Sequence, residues 1–161
     1  PYVGRVHGYD ISEKLCAAAY KKSVDNHIGN IEYKGGGEYS VENIELKCVY
    51  DHIMLMGVLS YVLDDREIER ILEKIYFHLK DGGYLVYKDN LNNSEEHYYF
   101  GKGLDYRMVA RTEDFMMKEF LKAGFSLIDK KNIHERLQPI QRDIQVKDYS
   151  LMCIFQKGNN K

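Results

Sequence analysis

The run Tyr50-Asp51-His52-Ile53-Met54-Leu55-Met56 is the most apolar short stretch of the chain, and it ends at a small residue, Gly57. Its length predicts a strand buried on both faces. Further on, Ile68, Ile71, Leu72, Ile75 and Leu79 recur at three-four spacing. That period predicts a helix over 65–80 with one stripe facing a core and Glu67, Glu69, Arg70, Glu73 and Lys74 facing water. Asp64-Asp65 can cap its start, and Gly82-Gly83 stops it in a left-handed turn. Tyr84-Leu85-Val86-Tyr87 is the next strand. Strand, small-residue loop, helix, Gly-Gly turn and strand make up the layout of a parallel α/β sheet, in which ligands bind at the carboxyl ends of the strands.

The same reading extends to both ends. Val6 to Ser12 is a short strand ending at an acid, followed by a helix from Glu13 in strong helix formers, with Ser12 as N-cap. Ile31-Glu32-Tyr33-Lys34 alternates and predicts a short strand. Gly35-Gly36-Gly37 then breaks the chain. The triplet lacks the spacing of a phosphate loop, so a flexible turn after an edge strand is the simpler reading. Val41 to Cys48 reads as loop or partial helix. Asn90 to Arg111 has little apolar periodicity, and a connection of that length in a compact domain is functional or mobile. Thr112-Glu113-Asp114 starts a helix that Gly124 ends. Phe125 to Asp129 and Tyr149 to Phe155 are strands, and the polar 130–147 between them suggests a protruding hairpin.

Bulk properties narrow the picture. A chain of 161 residues predicts one domain over 1–161. A net charge of -2 and a pI near 6.3 do not support a broad basic face for nucleic acid. Cys16, Cys48 and Cys153 are odd in number and widely spaced, so neither a disulfide framework nor a metal site is predicted, and reduced thiols are expected. No apolar run spans a bilayer and no signal peptide is visible, so a cytoplasmic protein without a membrane partner is expected. The chain opens on Pro1, which suggests a fragment, a processed form or a trimmed start.

Several residues carry candidate chemistry. Asp10, at a strand end before a helix, is placed to accept hydrogen bonds from ribose hydroxyls, or it caps the helix beside Ser12. Asp89, at the end of the strand after Gly82-Gly83, can orient a nucleophile or take its proton, or it is a strand-end cap. Tyr98, Tyr99, Tyr106 and Arg107 lie in the long connection, where they can bind an anionic or sugar-like acceptor or cover the sheet end.

Four segments, in order, resemble class I S-adenosylmethionine-dependent methyltransferases. Gly8-Tyr9-Asp10-Ile11-Ser12 through Ala17-Ala18-Ala19 is similar to that family's ribose-acid segment. Asp51 to Val62 is similar to its fourth strand and following loop. Leu79-Lys80-Asp81-Gly82-Gly83-Tyr84-Leu85-Val86 is similar to its LKPGG turn and fifth strand, with Asp81 in place of Pro. Lys122-Ala123-Gly124-Phe125 is similar to the junction before its sixth strand. The resemblance implies a Rossmann-like α/β sheet, mostly parallel with an antiparallel last strand, and S-adenosylmethionine as cofactor. It implies that Asp10 holds the ribose, that Ile11 packs on the adenine, and that Met56, Gly57 and Val58 line the methionine side. Tyr61 would lie near the transferred methyl group. The implied activity is methyl transfer to a small-molecule acceptor. Lys88-Asp89-Asn90 also resembles the protein N-terminal α-amine methyltransferases, in which such an acid faces the substrate amine, although their His after strand four is Tyr61 here.

The resemblance has departures. The family's first strand and glycine-rich loop should precede the ribose acid by about one helix, yet only Pro1 to His7 stand before the Gly8-Tyr9-Asp10 segment. The expectation is an N-terminally truncated sheet without strand 1, leaving a gap of roughly 10 Å between the second and fourth strands of the family order. A non-catalytic partner module or a truncated fragment is the alternative to an enzyme, and an exposed sheet edge suggests a homodimer.

Overall fold

The computed structural model describes residues 3–100, 107–141 and 144–158, with side chains described over 3–100, 107–133 and 149–158. The chain forms two compact units, Pro1–Lys47 and Cys48–Lys161.

In the first unit, β1 (Val6–Asp10) pairs in parallel with β2 (Ile31–Gly35), and α1 (Glu13–Asp25) connects them. The helix starts where the sequence predicts, since the Ser12 side chain accepts from the Leu15 N–H. It packs through small groups. The Cys16 thiol donates to the Lys34 carbonyl at 3.3 Å, and Ser23 and Tyr33 hydroxyls lie 3.1 Å apart. The Tyr33 ring lies over Gly8, where an added Cβ would come within 2.8 Å of it.

The second unit holds a six-stranded mixed sheet. β3 (Tyr50–Met56) runs parallel to β4 (Leu79–Asn92), with α2 (Asp65–His78) between them. β5 (Tyr98–Phe100) pairs antiparallel with β6 (Met108–Thr112), and β6 joins β4 in parallel at Leu91 and Asn92. α3 (Glu113–Lys122) leads to β7 (Phe125–Gln141) and β8 (Ile144–Lys157), a hairpin in which β8 also pairs antiparallel with β4. The order β3-β4-β8-β7 is that of the family's strands four, five, seven and six. β1 and β2 form a two-stranded sheet of their own. Among the described residues, β3 pairs only with β4.

Two expectations need correction. β3 is not buried on both faces: Leu55 is buried, while Met54 is 62% and Met56 45% exposed. The reason is that α2 and α3 cover the face that carries Leu55, Leu85 and Tyr87, leaving Met54 and Met56 on the other. The second correction concerns 90–111, which is no featureless connection. β4 runs on to Asn92, and Val109, Ala110 and Arg111 of β6 are buried at 0%, 0% and 1% exposure. The helix predicted over 65–80 closes at His78, and its end is held by the buried Lys157. That ammonium donates to the Leu79 carbonyl at 2.7 Å, lies 3.3 Å from Asp81 and sits 4.6 Å from the centre of the Tyr76 ring. Here a cation meets the carbonyl of the residue that caps the helix end.

Candidate functional site

The carboxyl end of β1 is built by local bonds. The Asp10 Oδ1 accepts from the Ser12 N–H at 2.7 Å. Ser12, not Asp10, caps the helix; Asp10 braces the turn before it. Asp10 is exposed, and among the described residues no group bonds to its Oδ2. The carboxylate is therefore held in one direction with acceptor capacity to spare, as a ribose diol requires. Ile11 beside it is 63% exposed, an apolar surface next to an anionic one. The glycine triplet is a fixed crossing. A Cβ on Gly35 would sit 2.7 Å from the Glu13 Cα, and Gly36 has φ 133°, a region that favours glycine. The Gly36 N–H donates to the Asp10 carbonyl at 3.2 Å, tying this turn to the strand end. Glu38 folds back over Gly36, where its carboxylate fills the space a side chain would take.

At the end of β3, Gly57 has φ 70°, and its N–H donates to the Lys88 carbonyl at 2.7 Å. A Cβ at Gly57 would meet no atom within 4 Å, so the strand end opens onto free space. Val58 follows, then a single 3-10 turn, Leu59–Tyr61, with Tyr61 53% exposed. A half-buried strand end with room above it could take a ligand chain.

Asp89 lies beneath that turn. It is 1% exposed, its Oδ2 accepts from the Ser60 N–H at 3.0 Å, and its Oδ1 accepts from the Asn90 N–H at 2.9 Å. Of the two readings of Asp89, the hydrogen bonds present are those of a strand-end cap. Burial pushes the Asp89 carboxyl above the ordinary aspartate range, against the opposing pull of the Ser60 and Asn90 donors. A carboxyl held more tightly protonated in the folded chain gives stability that is full below its unfolded pKa and is lost as pH rises through the folded one. Asp89→Asn cannot titrate. Its urea midpoint relative to wild type should therefore improve as pH rises above about 4, the ordinary aspartate value. A difference that shrinks over that range would contradict the burial argument.

Arg111 is the residue that the sequence does not reveal. Its Nε donates to Asp65 Oδ1 at 2.8 Å, Nη1 to the Leu59 carbonyl at 2.8 Å and Nη2 to the Val62 carbonyl at 2.6 Å. His97 completes the group: its Nδ1 accepts from the Thr112 N–H at 3.2 Å and its Nε2 lies 3.5 Å from Asp65 Oδ2. The signal available in the sequence was the apolar triplet Met108-Val109-Ala110 running into an arginine just before the capping Thr112. Leu59, Ser60, Asp89, Asn90 and Arg111 border a crevice too narrow for a water molecule.

The residues expected on the acceptor side are less gathered. Tyr98 and Tyr99 lie on β5, with Tyr99 61% exposed, and Arg107 is exposed just before β6. Tyr106 lies outside the described residues. Among the described residues no group of three or more His, Cys, Asp or Glu side chains is placed to hold a metal, and no helix is long and apolar enough to cross a membrane.

Comparison with known proteins bears on the fold. A protein of Bacillus halodurans described as a putative methyltransferase superposes with a TM-score of 0.72 at 15% identity, covering 99% of this chain and 85% of its own. A putative S-adenosylmethionine-dependent methyltransferase from Listeria monocytogenes gives 0.71 at 17% identity, covering 98% and 82%. The N-methyltransferase NodS of Bradyrhizobium japonicum, solved with S-adenosyl-L-homocysteine, gives 0.66 at 12% identity, covering 95% and 66%. At these identities the likeness establishes the fold. No curated protein sequence matches. A family model described as a methyltransferase domain matches residues 2–85, just over half of the chain, so the chain belongs to the methyltransferase-domain family.

Proposed function

We propose that this chain binds S-adenosylmethionine and transfers its methyl group to a small-molecule acceptor. The observation that carries the reading is Asp10: an exposed carboxylate at the end of a parallel strand, aimed by the Ser12 N–H and flanked by the exposed Ile11. In this role Asp10 accepts from the ribose hydroxyls and Ile11 packs on the adenine. The family resemblance assigns the methionine side to Met56, Gly57 and Val58. When bound, the cofactor supplies an electrophilic methyl group, so no metal or covalent enzyme intermediate is needed. The protein's task is to align the acceptor in line with that methyl and to exclude water. Tyr61 is the side chain assigned to the methyl, and Tyr98, Tyr99 and Arg107 are assigned to the acceptor.

Calorimetric titration with S-adenosylmethionine and S-adenosylhomocysteine tests the reading. Wild type should bind both, and Asp10→Ala should bind about 10- to 100-fold more weakly, the loss of one or two charge-assisted hydrogen bonds. A folded wild-type sample that gives no heat at millimolar ligand would leave the chain a non-catalytic methyltransferase-like module.

A further inference from the structure

The 3-10 turn Leu59–Tyr61 is held from both of its ends by buried charged groups on two different strands. Its N–H side faces the Asp89 carboxylate of β4, which takes the Ser60 N–H at 3.0 Å. Its carbonyl side faces the Arg111 guanidinium of β6, which donates to Leu59 at 2.8 Å and to Val62 at 2.6 Å. Leu59, Ser60 and Val62 are buried at 1%, 4% and 2% exposure, while Tyr61 between them is 53% exposed. A turn this short has too few internal hydrogen bonds to hold one shape by itself. Its own bonds are Tyr61 N–H to Val58 and Val62 N–H to Leu59, at 3.1 and 3.2 Å. A buried carboxylate and a buried guanidinium are costly to keep. Here each of the three guanidinium nitrogens donates once, to a carbonyl or a carboxylate.

We propose that Asp89 and Arg111 are positioning residues that splint this turn so that Tyr61 is presented, in one orientation, to ligand at the carboxyl ends of β3 and β4. The proposal rests on the cofactor reading above for the identity of that ligand. It changes what Asp89 does: the group acts through Tyr61, not on the acceptor. It also gives β6 a task, since β6 delivers Arg111 to the turn across a pairing with β4 of only Leu91 with Arg111 and Asn92 with Thr112. Asp65 and His97 complete the arrangement from behind. Asp65 orients the Nε edge of the fork, and His97 joins Asp65 to the Thr112 N–H that opens α3.

The test uses Arg111→Lys, which keeps the cation but cannot reach three acceptors with one ammonium group, and Asp89→Asn, which keeps the shape. Two readouts are taken on the whole chain. The first is amide hydrogen exchange over 59–62 without ligand, which should quicken at least about tenfold in each variant while the amides of β8 stay protected. The second is the dissociation constant for S-adenosylmethionine, measured in wild-type and Tyr61→Ala backgrounds. Arg111→Lys should weaken binding about tenfold in the first background and hardly at all in the second, because the orientation it controls is that of a side chain already removed. Equal weakening in both backgrounds would reduce Arg111 to general stability and overturn the positioning role. Unchanged exchange in both variants would overturn the splint. A wild type that exchanges as expected but binds no S-adenosylmethionine would overturn the cofactor reading and the presentation of Tyr61 to it, while leaving the mechanical splint in place.

Discussion

Replacing Arg111 by methionine is expected to lower folding stability by about 3–5 kcal/mol, the cost of breaking a buried charged network by removing one partner. The two side chains have similar reach, so little of this comes from an empty volume. It comes from the acceptors left behind. The Val62 carbonyl would lose its charge-assisted donor, at about 1–3 kcal/mol, while the Leu59 carbonyl keeps the Val62 N–H and loses less. Asp65 is 39% exposed and can rehydrate, so it adds less. For the same reason Asp65→Ala should cost clearly less than Arg111→Met. Whole-network replacement of buried ion pairs by apolar residues can be neutral, but that outcome requires removal of every partner, and backbone carbonyls cannot be removed. Urea unfolding followed by circular dichroism measures the change. A loss below about 1 kcal/mol would mean that water reaches these carbonyls when the guanidinium is gone.

The features legible in the sequence are those made by neighbours along the chain. The α2 stripe, its Asp64 cap, the Thr112 cap of α3 and the Asp10–Ser12 turn all rest on residues within four positions of each other. The sheet order was legible through resemblance, because four segments stood in the family's sequence. Distance in sequence defeated the rest. Arg111 meets its partners across 46 to 52 residues, and no local pattern marks a charged residue as buried when its acceptors are backbone carbonyls so far away. β6 was hidden for the same reason, since its apolar part is only Met108-Val109-Ala110. Asp89 was legible as a strand-end acid, but the turn that covers it folds back from 29 residues earlier. β3 looked buried on both faces because two methionines in an apolar run are indistinguishable from core residues until the helices are placed.

Phe120→Ala is expected to cost about 3–5 kcal/mol, within the range for deleting a fully buried aromatic side chain. The Phe120 ring is 0% exposed and stacks on Phe155 with centres 4.2 Å apart and planes 20° apart. Tyr87 lies 4.9 Å away and Phe125 6.1 Å away, so three rings from three strands converge on one residue of α3. Leu121, the next residue, is 58% exposed, and Leu121→Ala should change stability by less than about 0.5 kcal/mol. The contrast separates burial from helix propensity, because both substitutions place alanine in the same turn of the same helix. A double-mutant cycle with Phe155→Leu should return a coupling of about 0.5–1.5 kcal/mol for the stacked pair. The consequence reaches the candidate site through β4. Tyr87 and Asp89 stand two apart on its buried face, so the ring that packs on Phe120 belongs to the same strand segment that presents the carboxylate to the Leu59–Tyr61 turn. If Phe120→Ala costs less than about 1.5 kcal/mol, the neighbouring rings have collapsed into the space. Tyr87 would then move with them, and amide exchange at Ser60 would rise even though the global stability had barely changed.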